Sequence, residues 1–124
     1  MLDKTPRWGM PFIAQHQAQK EVTVNQAIAK IDCLLGGCVE SRQALQMPVA
    51  PQDGVLYIAP TGSLSGWEAI LPTVSSHDIL LYQGTWRIIK PQTGMLLWVH
   101  DENALIVFTN GLWHTLFKLP QAVT

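Results

Sequence analysis

Four histidines, nine acids, two cysteines and five tryptophans are the side chains with which this 124-residue sequence could do chemistry. His16 lies in a polar run, His77 stands beside Asp78 in a turn-like stretch, and His114 follows a tryptophan. His100-Asp101-Glu102 sets an imidazole next to two carboxylates, the residue types of general acid–base catalysis. Neighbours at a strand end point to opposite sides, so adjacency in sequence does not aim them at one substrate. A solvated turn accounts for the cluster. The sequence has no Gly-x-Ser-x-Gly elbow, no His-Glu-x-x-His and no Gly-rich phosphate loop, and its acids suggest no pair facing one cleft. The expectation is a chain without catalytic residues and without a cofactor, a small hydrolase being the remote alternative.

Cys33 and Cys38 could supply half of a zinc site, but no second Cys or His pair stands at ligand spacing. They read as small packing residues, a disulfide staying open and no metal being expected. The tryptophans admit more. Trp67, Trp86 and Trp113 lie in or beside predicted strands, as does Trp98, and Trp8 lies near the start. Such rings fill a small core and hydrogen-bond through their N–H. Exposed, they would instead stack on sugar rings or anchor a protein interface. Trp67, Trp86 and Trp113 are the candidates for glycan or partner contact, Trp86 and Trp113 because each follows a Gly turn.

The elements that must carry these residues can be read from punctuation and period. Pro6 and Pro11, around Trp8 and Gly9, make the start an extended or turned arm. Thr23 with Gln26 fits a capping box, and Val22 with Ala27 a hydrophobic staple. The stripe Val24, Ala27, Ile28, Ile31, Leu34, Leu35 then keeps helical spacing until Gly36-Gly37 closes the helix. That stripe either packs on the chain's own core or bundles with copies of itself. Trp8, Phe12, Val24, Ile28, Ile31 and Leu35 are the candidate docking residues for the second case.

Beyond Gly37 the pattern is short strands and turns: 39–47, 55–59, 67–70, 79–82, 86–89, 95–99, 104–108 and 112–117, with turns at Asp53-Gly54 and Asn110-Gly111. The fold class expected is mainly β with one N-terminal α-helix: a small antiparallel barrel or sandwich preceded by an extended arm. Residues 1–37 form arm and helix and 38–124 the β region, together one unit. Leu81 to Trp86 and Phe108 to Trp113 both run from an apolar strand through a Gly turn to Trp, a weak internal repeat. Met95 to Val99 and Ala104 to Phe108 are apolar throughout, so both faces of the sheet they form need cover, from the helix or from a neighbouring subunit.

Composition points the same way. Charged residues are only 14% against 48% hydrophobic, which leaves apolar surface for another protein. A net charge of −1 with scattered Lys and Arg gives no case for nucleic acid. No apolar run suits a membrane span and the start lacks a signal-peptide pattern, so synthesis in the cytoplasm is expected.

The segment Thr5-Pro6-Arg7-Trp8-Gly9-Met10-Pro11, continued by Gln17-Ala18-Gln19-Lys20-Glu21-Val22-Thr23-Val24-Asn25, resembles the opening of an uncharacterised family found in alphaproteobacterial prophages and gene transfer agents. The family pattern has Leu, Gly and Glu where this chain has Trp8, His16 and Gln26. The likeness runs on through Val39-Glu40-Ser41-Arg42, Pro51 to Ile58, Gly66-Trp67, Gly84-Thr85-Trp86-Arg87 and Gly111-Leu112-Trp113, and so spans nearly the whole chain. Family members accompany tail-fibre, head-spike and host-attachment genes. The resemblance implies a structural adaptor of a bacteriophage-like virion, made in the bacterial cytoplasm. It would assemble with itself, a trimer being favoured, and with other virion or fibre proteins. A carbohydrate-binding module using exposed Trp rings, with cell-surface polysaccharide as partner, is the alternative.

Overall fold

The computed structural model describes residues 4–12 and 20–120. The chain is mainly β with an N-terminal helix, as expected. The arm turns rather than extends: Lys4 bridges Pro11, and Gly9 takes a positive φ of 68° to close the loop between them.

Helix α1 spans Lys20–Leu34 and so begins a turn before the predicted cap. The Gln-Lys-Glu run is itself strongly helix-forming, which leaves Thr23 inside the helix and not at its start. The proposed Val22–Ala27 staple rests on a side chain outside the described residues. The stop is as read: Gly36 adopts φ 60°, a conformation costly for any residue with a Cβ. Gly37 then passes so close to the body that a Cβ there would sit 2.7 Å from both the Cys33 carbonyl and Leu97.

Among the described residues seven strands follow: β1 Cys38–Val39, β2 Leu56–Ile58, β3 Ile79–Tyr82, β4 Trp86–Ile89, β5 Leu96–Val99, β6 Ala104–Thr109 and β7 Leu112–Lys118. They form two separate sheets, ordered β1-β5-β6-β7 and β2-β3-β4. Pairing is antiparallel except for β1 on β5. The sheets do not close into a barrel. Their inner faces share one core, in which Val39, Leu97, Val99, Ile106 and Trp113 meet Leu56, Ile58, Ile79, Leu81 and Ile89, with Cys33 of α1 joining from the helix.

Two predicted strands are not strands. Of the 39–47 stretch only Val39 lies in a strand, with Gln46 making an isolated bridge to Gly66, and residues 67–70 belong to helix α2, Ser65–Glu68, and the turn after it. Both segments lie on the second face of the three-stranded sheet. There Trp67, Leu71 and Val74 pack on Leu80 and Trp86 in a second core. That sheet is therefore covered on both faces by its own chain. The two Gly–Trp hairpins do recur as β3–β4 and β6–β7, each closed by an aromatic pair: Tyr82–Trp86 at 5.2 Å and Phe108–Trp113 at 5.1 Å between centroids. One loop has an extra residue, and the two Trp rings enter different cores, Trp86 the second and Trp113 the one between the sheets.

Candidate functional site

The arm is fixed to the helix through one acid that sequence reasoning passed over. Asp32 is fully buried on the body-facing side of α1, with Ala29 and Cys33. Its Oδ1 accepts the Thr5 hydroxyl at 2.5 Å and the Trp8 N–H at 2.7 Å, and its Oδ2 accepts the Arg7 N–H at 3.0 Å. Thr5 Oγ1 in turn accepts the Met10 N–H, which holds the arm's turn shut. The Arg7 guanidinium reaches on to the Cys38 carbonyl at 2.7 Å. Thr-Pro-Arg-x-Gly is thus a turn built to present three donors to one carboxylate. The available signal was an Asp placed among apolar positions of a helix, which is costly unless it is satisfied.

This latch positions Trp8. Its backbone N–H is held by Asp32 and its indole N–H by the Leu35 carbonyl at 3.0 Å, yet the residue is 58% exposed. Beside it the helix turns apolar residues outward: Val24, Ile31 and Leu35 are 40%, 53% and 56% exposed, while Ile28 and Phe12 are half-buried. Of the stripe, Leu34 packs against the chain's own core and Ile28 is half-buried, while Val24, Ile31 and Leu35 face outward. Val24, Ile28, Ile31 and Leu35 are spaced four, three and four residues apart. That is the alternation of d and a positions in a coiled-coil seam, and here it faces away from the body.

The sheet of β1-β5-β6-β7 leaves a second apolar surface. Its outer face carries Leu96 opposite Val107, and the row Cys38, Trp98, Leu105, Phe117 across all four strands. Leu96, Leu112, Leu116, Phe117 and Leu119 stand about half exposed, and the rings of Trp98 and Phe117 lie 6.1 Å apart. The helix does not cover this face. The expected need for cover from outside is met by nothing among the described residues.

The tryptophan platform is corrected by the structure. Trp67 is fully buried, and Trp86 and Trp113 nearly so. Trp67 donates to the Ala44 carbonyl at 2.9 Å and packs edge-on to Trp86, with Tyr57 alongside. Trp113 donates to the His77 carbonyl at 3.0 Å. A sugar stacks on an exposed ring face, and none of the three offers one. Trp113, 8% exposed, borders an open cleft of about 360 Å³ lined also by Gln43, Thr61, His77 and His114.

The acid–imidazole clusters are spent on structure. Glu102 forms a two-pronged ion pair with Arg42, both bonds 2.8 Å, and Asp78 is buried against Lys90 and the Ser75 N–H. Arg42 hydrogen bonding holds the Glu102 carboxyl below its ordinary value, against the opposing effect of burial. Because the folded-state value is depressed, the pair stabilises fully above the usual carboxylate range and the contribution is lost as pH falls through the folded-state value. Glu102→Gln should therefore cost about 1 kcal/mol at neutral pH and almost nothing in acid, read as the gap between urea midpoints in the two conditions. A gap independent of pH would mean that the ion pair is not its source.

Both cysteines are free thiols. Burial pushes Cys33 up to about 11, so it stays protonated and packs as a small apolar group at 3.6 Å from the Gly54 carbonyl. No group of three or more His, Cys, Asp or Glu among the described residues could hold a metal ion. No helix among them is long and apolar enough to cross a membrane. What the geometry concentrates is apolar surface, at the helix seam with Trp8 and on the outer sheet face.

No curated protein and no solved structure matches the chain. Residues 24–114, from the first exposed residue of the helix seam into β7, match the family described as protein of unknown function DUF2793, and to that family the chain belongs.

Proposed function

We propose that this protein is a structural adaptor of a bacteriophage-like particle, part of a fibre, spike or attachment apparatus, and that it works by assembling with copies of itself and with other virion proteins. The observation that carries the assembly role is the outward-facing seam of α1. A helix whose seam residues Val24, Ile31 and Leu35 are exposed, beside a tryptophan pinned at both of its N–H groups, is poorly matched to life as a monomer. Ordering Trp8 in advance also lowers the entropy lost when it is buried by a partner. With Ile28 and Leu35 at a and Ile31 at d, the seam has the side-chain shapes that favour three or four strands over two. A trimer is the favoured state. The placement in a virion rests on the likeness of the arm and helix sequence to prophage and gene-transfer-agent proteins.

Light scattering across a dilution series tests the assembly role. The wild-type chain should hold a trimer mass, and Ile31→Glu with Leu35→Glu should run as a folded monomer. Both residues are more than half exposed, so charge there leaves the core untouched. A wild-type chain that is monomeric at every concentration would remove the assembly reading.

A further inference from the structure

The helix seam is too small to hold an assembly alone. Trp8, Val24, Ile31 and Leu35 at their observed exposures offer on the order of 400 Å², about half of the roughly 800 Å² that each partner buries in a standard interface. The outer face of the β1-β5-β6-β7 sheet offers more: four half-exposed leucines, Phe117, and the partly exposed Trp98, Leu105 and Val107 come to on the order of 600 Å². The two surfaces adjoin. Leu35 and Gly36-Gly37 lead directly into Cys38, whose register partner is Trp98, and the Trp98 N–H donates to the Gly37 carbonyl at 2.9 Å. The row Cys38, Trp98, Leu105, Phe117 therefore starts where the helix seam and Trp8 end.

We propose that the outer sheet face and the α1 seam form one continuous self-association surface, and that its occupant is a second copy of this chain, with sheet faces of neighbouring subunits packed on one another. This rests on the assembly reading above and names where the rest of the interface lies. The combined area exceeds what each partner of a stable interface needs, while either part alone falls short. Charge agrees: the paired positions of this face hold no acid, and their titratable side chains are His114, opposite Val107, and half-buried Cys38. An apolar face can meet its own copy without burying like charges, whereas a face specialised for a different partner commonly carries complementary charge. Packed sheets stand about 10 Å apart, close enough for Trp98 and Phe117 to interdigitate with the same residues of a neighbour.

The test uses the full chain and two single variants, Phe117→Asp and Leu96→Glu, each at a half-exposed position, alongside the helix double variant Ile31→Glu/Leu35→Glu. Light scattering and sedimentation give the mass, and near-ultraviolet circular dichroism of the buried Trp67–Trp86 pair reports folding. The proposal expects each sheet variant to stay folded and to raise the assembly's dissociation concentration by at least about a hundredfold, the loss of a central apolar contact. It is overturned if the helix variant dissociates while both folded sheet variants keep the wild-type mass, an outcome that leaves the assembly reading standing. It is also overturned if the wild-type chain is a monomer throughout, and there the assembly reading falls with it. Should Phe117→Asp fail to fold, amide exchange on the wild type decides: β5 and β7 amides slower to exchange in the assembled than in the diluted state support the interface, and unchanged rates overturn it.

Discussion

Asp32→Ala should lower unfolding free energy by about 3–4 kcal/mol, the largest effect expected of any polar substitution here. The carboxylate is fully buried and satisfies three donors of the arm at 2.5, 2.7 and 3.0 Å. Removing it strands the Thr5 hydroxyl and the Arg7 and Trp8 N–H groups, each costing roughly 1 kcal/mol or more while it stays buried. The arm can escape part of that cost by detaching, so the variant should also become sensitive to trypsin at the Arg7–Trp8 bond. Asp32→Asn keeps one acceptor but turns an amide N–H toward a donor, and should fall between alanine and wild type. Urea denaturation with limited proteolysis measures both effects. An alanine variant as stable as the parent and uncut in the arm would mean that the arm is not latched by this acid. Assembly should weaken as well, because Trp8 owes its orientation to the same carboxylate.

Trp67→Ala should cost about 3–5 kcal/mol, the range for emptying a buried large aromatic site. The ring is fully buried, lies 5.1 Å from Trp86 and 5.7 Å from Tyr57, and donates to the Ala44 carbonyl. It ties α2 and the 40s segment to the outer face of the three-stranded sheet. Trp67→Phe refills most of the volume but leaves that carbonyl unpaired, for a loss of about 1–2 kcal/mol. Thermal or urea melts separate the two variants. Trp8→Ala offers the contrast, since an exposed ring contributes little to the fold and should instead weaken assembly. If Trp67→Ala melted with the parent, the ring would not be core, and the surface reading of the tryptophans would have to be reopened.

Local signals carried much of the fold. Gly36, Asn110-Gly111 and the apolar runs of β3, β4, β6 and β7 were legible because each is decided within a few residues, the turns by backbone sterics and the strands by short apolar runs bounded by turn residues. The misread segments are those that tertiary contact decides. Residues 67–70, Trp-Glu-Ala-Ile, suit a short strand or a helical turn equally until Trp67 finds Tyr57 and Trp86. Val39 to Met47 has strand-forming residues, but only Val39 lies in a strand, on β5; Glu40 and Ser41 bond to Leu56 and Ile58 of β2, and the chain then bends away to cover the other sheet, where Gln46 bridges Gly66.

For the functional surface the division is similar. The sequence by itself determined that α1 has an apolar stripe, that the strands of Leu96–Val99 and Ala104–Thr109 are apolar on both sides, and that charge is too scarce to cover the molecule. Periodicity and composition suffice for those statements. Which apolar faces the chain covers for itself was settled only by the tertiary structure. Val24, Ile31 and Leu35 of the stripe face water because Asp32 and Cys33, on another side of the helix, are held against the body, with Leu34 beside them. Trp67 and Trp86 are core because the connection carrying α2 folds over the three-stranded sheet, and Trp113 is core because it faces that sheet from the four-stranded one, whose outer face is left bare. Burial is set by contacts distant in sequence, and no local pattern records which of two equally apolar faces those contacts will choose.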